Sequence, residues 1–256
     1  MKRFLSSMTF AMLTMILTAC GSDAGETDNP APPADATPAP DAVSADPDHY
    51  TVLFENDIAR LIRIKYAAGG KSTMHNHPAG CGVFLVDQKF KFTPPQGEAE
   101  TVENHVGDVT CGDAEDHLPE NVGAADAEVI LLELKNRKTF DNAPTGKSIS
   151  VSSKPSVPDG IAADPKHYSV QFENDAVRLL RIKIPPGEKV PMHAHPANCS
   201  IELSNWTAPG DKGQPTEVKA GEVACNDAQA HDGANIGKTP ADMVVVEFKN
   251  REKFKS

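Results

Sequence analysis

The segment Met74-His75-Asn76-His77-Pro78-Ala79 recurs as Met192-His193-Ala194-His195-Pro196-Ala197, 118 residues further along the chain. Residues 46–81 and residues 164–199 share 22 identities in 36 aligned positions. Chance would give only a few, so the chain contains an internal duplication. Beyond the histidine pair the offset falls to 114, and Gly107, Cys111, His117 and Asn121 match Gly221, Cys225, His231 and Asn235. This period is too long for a solenoid, so we interpret each copy as a domain.

The hydrophobic pattern of each copy predicts β-structure. Apolar and charged residues alternate over 61–66 and 89–92, and the apolar runs 129–132 and 243–246 are candidates for buried strands. Gly, Pro, Asn and Asp separate these runs, and we find no clear helical period. Many short strands at this spacing predict a sandwich or a small barrel.

The first 45 residues have the features of an export signal and a tether. Lys2 and Arg3 precede a short apolar run, which ends in Leu17-Thr18-Ala19-Cys20. About 15 residues are too few to span a bilayer, so a secretory signal is the better interpretation. The ending resembles a bacterial lipobox, in which the cysteine is lipidated. The alternative is an ordinary signal peptide with a chance cysteine.

These features predict a lipid-anchored protein of the bacterial cell envelope. Gly21 after the cysteine favours the outer membrane, facing the periplasm. The expected organisation is a signal peptide at 1–19, Cys20 and a flexible Pro/Ala/Asp-rich tether at 20–45, domains at 46–140 and 164–256, and a linker at 141–163.

The composition argues against nucleic-acid binding. The chain has 25 Lys and Arg against 36 Asp and Glu, a formal net charge of −11. Phosphate contacts need clustered basic residues, and stacking on bases needs aromatic residues, which make up only 5% of the chain. Membrane attachment would then rest on the lipid, and a small-molecule ligand is the expected partner.

The histidines are the candidate chemistry. Eight of the nine occur as equivalent pairs. Residues i and i+2 of a strand face the same side, so both members of each His-x-His pair can point at one centre. A third histidine from another strand would complete a three-nitrogen face with open positions, as a catalytic metal needs. The candidate ligands are His75, His77 and His117 in one copy, and His193, His195 and His231 in the other.

This pattern resembles the cupins. Their first motif has Gly, five residues and His-x-His, which Gly69 and Gly187 satisfy. Their second motif ends in His-x3-Asn after a leading Gly, which fits loosely because the gap is one residue shorter than usual. The segment 117–121 is similar to a group of small bacterial cupins that carries no activity to transfer. The resemblance implies two tandem jelly-roll barrels. Cupin pairs commonly pack against each other, but the sequence does not say whether these two do.

One departure from the cupin pattern concerns the glutamate ligand. That residue should fall at 81 or 82 and at 199 or 200, where the chain has Cys81-Gly82 and Cys199-Ser200. The resemblance therefore supports three histidines and no carboxylate. Some cupins, such as thiol dioxygenases, look similar in holding iron on three histidines. Iron, zinc, copper or nickel would suit such a site.

The remaining four cysteines allow two interpretations. Disulfides Cys81–Cys111 and Cys199–Cys225 agree with the duplication and with an oxidising compartment. In a cupin the two motifs lie side by side, which makes these bonds sterically plausible. Alternatively, Cys81 and Cys199 are thiolate metal ligands in place of the glutamate. The disulfides explain all four cysteines, and we favour them.

Three functions remain open at this point. The first is a metal-dependent oxygenase, isomerase or lyase acting on a small molecule. The second is a non-catalytic module that binds a small molecule or a metal, and the third is a structural lipoprotein. Retention of three histidines in both copies argues against the third. Fold alone does not decide between the others.

Overall fold

The computed structural model describes residues 39–210 and 214–254. The predicted signal peptide, Cys20 and most of the predicted tether lie outside these residues. These described residues belong to one compact unit. Across the described ranges the chain is almost entirely β, as the sequence predicts, and none of the helices there is long and apolar enough to cross a membrane.

The first half contains one short helix and nine strands. The elements are α1 (Ala42–Ala45), β1 (Tyr50–Glu55), β2 (Ala59–Tyr66), β3 (His75–His77), β4 (Gly80–Phe84), β5 (Gln88–Thr93), β6 (Glu100–Asn104), β7 (Val109–Gly112), β8 (Glu115–Asn121) and β9 (Ala127–Leu134). They form a five-stranded sheet, β1-β2-β9-β4-β7, and a four-stranded sheet, β3-β8-β5-β6. All these pairs are antiparallel, and both sheets line one cavity, which is consistent with a jelly roll.

The second half repeats this order. The elements are α2 (Gly160–Ala163), β10 (Tyr168–Glu173), β11 (Val177–Ile184), β12 (Lys189–His195), β13 (Asn198–Glu202), β14 (Trp206–Pro209), β15 (Pro215–Val218), β16 (Val223–Asn226), β17 (Gln229–Ala234) and β18 (Ala241–Phe248). The five-stranded sheet is β10-β11-β18-β13-β16, and the strands opposite it form the pairs β12-β17 and β14-β15.

Strands β9 and β18 lie inside the five-stranded sheets and are buried along most of their length, which explains their nearly continuous apolar runs. In β2, Leu61 packs in a core shared by both halves, whereas Ile62 faces the interior of its own barrel. In β11, Leu179 and Leu180 divide in the same way. A strand with no solvent-facing side has no reason to alternate with polar residues. The shared core therefore joins the two barrels.

Polar contacts at the barrel junction come in equivalent pairs. Arg63 donates to the carbonyl of Gly221, and Arg181 donates to the carbonyl of Gly107. Both glycines have a φ of 84°, in the left-handed region. A Cβ on Gly107 would also lie 2.5 Å from the Arg181 guanidinium, so both the turn and the contact require glycine there.

The segments before each barrel are more ordered than the sequence indicates. Helix α1 begins inside the range assigned to the tether, and α2 begins inside the range assigned to the linker. Asp41 and Asp159 cap these helices through their side chains. Each segment also pairs with the His-x-His strand, because the backbone N–H groups of Asn76 and Ala194 donate to the carbonyls of Pro40 and Pro158, both at 2.8 Å.

The structure confirms both disulfides. Cys81 lies opposite Cys111 on β4 and β7, and Cys199 lies opposite Cys225 on β13 and β16. The sequence separations are 30 and 26 residues. The alternative of thiolate ligands at Cys81 and Cys199 is wrong for this structure, since their sulfurs are bonded and face the shared core.

We expect each disulfide to stabilise the chain by about 3 kcal/mol through loop closure. In a Cys20→Ser chain, Cys199→Ala/Cys225→Ala should lower the free energy of unfolding by that amount, with Cys81→Ala/Cys111→Ala as the matched variant. Urea titration measures this change. The Cys20→Ser chain should show no reactive thiol after denaturation without reductant, and four free thiols would contradict the assignment.

Candidate metal centres

The three candidate histidines of each half meet inside its barrel. In the first half, His75 and His77 lie on β3, and His117 lies directly opposite His75 on β8. The Nε2 atoms of His75 and His77 are 3.0 Å apart. Within this trio, one ligand nitrogen from each residue lies within 4.8 Å of the others. The side chains are buried, with exposed fractions of 0%, 6% and 9%.

The second half repeats this arrangement with one difference in exposure. His193 and His195 lie on β12, and His231 lies opposite His193 on β17. The Nε2 atom of His193 is 3.0 Å from Nε2 of both His195 and His231. The first two residues are buried, but His231 is exposed at the mouth of the cavity.

Partners on the Nδ1 side orient the paired imidazoles. His75 Nδ1 lies 2.8 Å from the carbonyl of Thr73, and His193 Nδ1 lies 2.8 Å from that of Pro191. A carbonyl can only accept, so these rings carry the proton on Nδ1 and turn the lone pair of Nε2 inward. The Nε2 atom of the paired histidine, His77 or His195, lies 3.0 Å away, and its lone pair would repel this one unless a proton or a metal ion lies between them. The donor set therefore fits a transition metal.

A buried ionic chain supports the second histidine of each pair, and sequence reasoning missed it. His77 Nδ1 lies 2.7 Å from Glu133 Oε1, and Arg60 Nε donates to Glu133 Oε2 at 2.7 Å. Arg60 also pairs with Asp41. The second half has the same chain: His195, Glu247, Arg178 and Asp159. The aspartate, the arginine and the glutamate are identical in the two copies. This identity is the sequence signal from which the ionic chain could have been predicted.

The fold matches known structures. The structure of a cupin 2 conserved barrel domain protein from Leptotrichia buccalis aligns with a TM-score of 0.50 at 12% identity, over 78% of this chain and 88% of that chain. Protein Ylba from E. coli aligns with a TM-score of 0.50 at 11% identity, over 80% of this chain and 84% of that chain. The chain has the cupin fold. No protein-family model and no curated protein matches its sequence.

A tyrosine hydroxyl lies beside the histidine cluster of each barrel. Tyr50 Oη is 3.0 Å from His75 Nε2 and 2.8 Å from Tyr66 Oη. Tyr168 Oη is 2.9 Å from His193 Nε2. Burial raises the pKa of Tyr50 and of Tyr168 above the usual value and raises that of Tyr66 to about 12. The hydroxyls therefore remain protonated at neutral pH and can donate to a group at the metal.

The other histidines and the methionines have structural positions. His167 Nδ1 lies 2.6 Å from Asp164, in agreement with the structural role that the sequence suggests, and His105 is exposed. Alternation points Met74 and Met192 away from the ligands, which predicts core packing rather than metal binding. For Met192 this prediction is wrong, since it is 51% exposed, and Met74 is half-buried. The outer face of β12 meets solvent there.

Burial and the neighbouring His77 and His117 lower the pKa of His75 to about 4. The unfolded chain has its usual value near 6.5, so it binds more protons between these two values. The stability of the metal-free protein should therefore be highest above pH 6.5 and fall as the pH drops towards 4. We expect a loss of about 2 kcal/mol from this residue between pH 7.5 and 4.5.

Urea unfolding of chelator-treated protein at these two pH values measures the loss. A His75→Asn variant lacks the titrating ring and should lose less stability over the same interval. Equal losses of unfolding free energy in both proteins would show that His75 does not contribute to the pH dependence of stability.

Proposed function

We propose that each barrel holds one divalent transition metal on its three histidines and that the chain is a metal-dependent enzyme acting on a small molecule. The convergence of one ligand nitrogen from each of three histidines to within 4.8 Å of one another, repeated in both halves, carries this proposal. The ligands would be His75, His77 and His117 in the first barrel, and His193, His195 and His231 in the second.

The nitrogen separations favour one coordination geometry. Two nitrogens that each lie about 2.1 Å from an ion, at about a right angle, are about 3.0 Å apart. This separation matches the 3.0 Å of the histidine pairs. A tetrahedral site would separate them by about 3.4 Å at the same bond length. The spacing therefore supports a three-nitrogen face of a larger coordination shell, which leaves positions for substrate and suits iron or nickel better than structural zinc.

The surrounding residues define what the chain itself would do. A bound metal would act as a Lewis acid or activate a coordinated oxygen ligand. Tyr50 and Tyr168 would donate a hydrogen bond to a substrate oxygen beside His75 or His193. Glu133 and Glu247 would keep the proton of the second histidine on Nδ1. The apolar walls of the first cavity, including Phe90 and Phe92, would exclude water. These roles fit oxygenase, isomerase or lyase chemistry.

Metal content tests the proposal. Elemental analysis of the wild-type chain after loading with iron, zinc, copper or nickel should give about two metals per chain. His117→Ala and His231→Ala should each retain about one metal, and the double variant none. Glu247→Gln should weaken the second site by 10–100-fold, as is usual when a residue behind a metal ligand is changed.

His105→Ala is the matched control, because that histidine is exposed and belongs to neither site. Retention of no metal by the wild type under all four conditions would refute the proposal. Metal binding without turnover of small molecules, monitored by oxygen uptake and product analysis, would favour a non-catalytic binding module.

We also propose that the chain is a lipoprotein of the bacterial cell envelope, anchored through Cys20. The basic start, the short apolar run and the lipobox-like Leu17-Thr18-Ala19-Cys20 support this location. A bacterium expressing the chain and fed a labelled fatty acid should incorporate the label and retain the protein in its membranes. Cys20→Ala should abolish both results, and an unlabelled wild-type chain would contradict lipidation.

A further inference from the structure

The second cavity contains a buried carboxylate that the metal site does not use. Glu202 ends β13, where it follows Asn198 and Ser200 on the face towards the cavity, while Cys199 and Ile201 pack in the shared core. Its side chain is only 6% exposed. The indole Nε1 of Trp206 donates to its Oε2 at 2.9 Å. Within residues 39–210 and 214–254, no Lys or Arg forms a salt bridge with it.

The first cavity has no such group. Phe84 occupies the position equivalent to Glu202, and Gln88 the position equivalent to Trp206, at the offset of 118. The Phe84 ring lies 3.5 Å from the point where a side chain on Gly82 would begin, so it covers that part of the wall. The first cavity measures about 250 Å³ and the second about 690 Å³. The two copies thus share the histidines and differ in the walls above them.

A carboxylate in such a place is costly when no cation pairs with it. Burial raises the pKa of Glu202 above its usual value even though hydrogen bonds from Trp206 and Ser200 lower it. A cation in contact with the carboxylate would offset the lost hydration. The Trp206 ring also lines the cavity, and an aromatic face beside a carboxylate attracts an ammonium group. The net charge of −11 further favours cationic ligands.

We propose that the second cavity binds a small organic molecule through a protonated amine held between the Glu202 carboxylate and the Trp206 ring. The inference rests on the proposed function, because His193, His195 and His231 line the same cavity and would hold the reacting end of that molecule. The first cavity has Phe84 at the equivalent position, and its carboxylates, Asp113 and Glu115, are exposed, so it would lack this amine subsite. The two sites of one chain would then differ in ligand preference.

Trp206 is the only tryptophan of the chain, so its fluorescence reports on this cavity alone. Benzylamine and hexylamine are the probes, and benzyl alcohol and 1-hexanol are their neutral counterparts. In the full chain, stripped of metal by a chelator, we expect the amines to change the emission saturably and to bind at least tenfold more tightly than the alcohols. Glu202→Gln keeps an oxygen acceptor for the Trp206 indole and should reduce this preference below twofold.

Glu217→Gln is the matched control, because it removes an exposed carboxylate of the neighbouring β15 strand and should keep the full preference. Equal binding of amines and alcohols by the wild type would overturn the proposal, as would the absence of any saturable response. An unchanged preference in Glu202→Gln would overturn it as well. If that variant fails to fold, the comparison of amines with alcohols in the wild type still decides.

The proposed metal sites and the proposed amine site are tested by separate measurements. The amine titration uses metal-free protein, whereas metal content is measured on the loaded chain. A preference for amines without metal binding would leave a cation-binding barrel and refute the metal sites. Two bound metals without a preference would refute only the role of Glu202.

Discussion

The contact between a buried guanidinium and a buried glutamate is the constraint on which each barrel depends. Arg178 and Glu247 are both fully buried, at 0% exposure, and Arg178 also binds Asp159. Removal of one partner from a buried ion pair costs about 3–5 kcal/mol because it leaves a charge uncompensated. The contact joins three separate parts of the chain: the segment before the barrel, strand β11 and strand β18.

The same ion pair also contacts the histidine cluster of the second barrel. Glu247 uses one oxygen for Arg178 and the other for His195 Nδ1. The guanidinium keeps the carboxylate in place, and the carboxylate selects the tautomer whose Nε2 points inward. Folding of the upstream segment and orientation of a ligand are thus parts of one network. This explains why α1 and α2, each only four residues long, are ordered at all.

The sequence revealed those features that depend on local pattern or on the repeat. Strand alternation placed both histidines of each pair on one face, and the duplication identified the third histidine and the cysteine pairs. The sequence did not reveal that Glu133 lies beside His77, because residues 56 positions apart meet only through the pairing of distant strands. The clue was a charged residue, identical in both copies, within an apolar run. Likewise, Pro40-Asp41 and Pro158-Asp159 match at the same offset of 118, so the repeat begins before residue 46.

The two copies keep the residues of the ionic chain and differ in the residues of the cavity wall. In the second barrel Asp159, Arg178 and Glu247 cannot change singly, since each change would leave a buried charge without its partner. Phe84 and Glu202 occupy equivalent positions on the two cavity walls, belong to neither ionic chain and are free of that restriction. A duplicated barrel whose ionic chain is fixed and whose walls vary would keep its three histidines while its ligand preference changes.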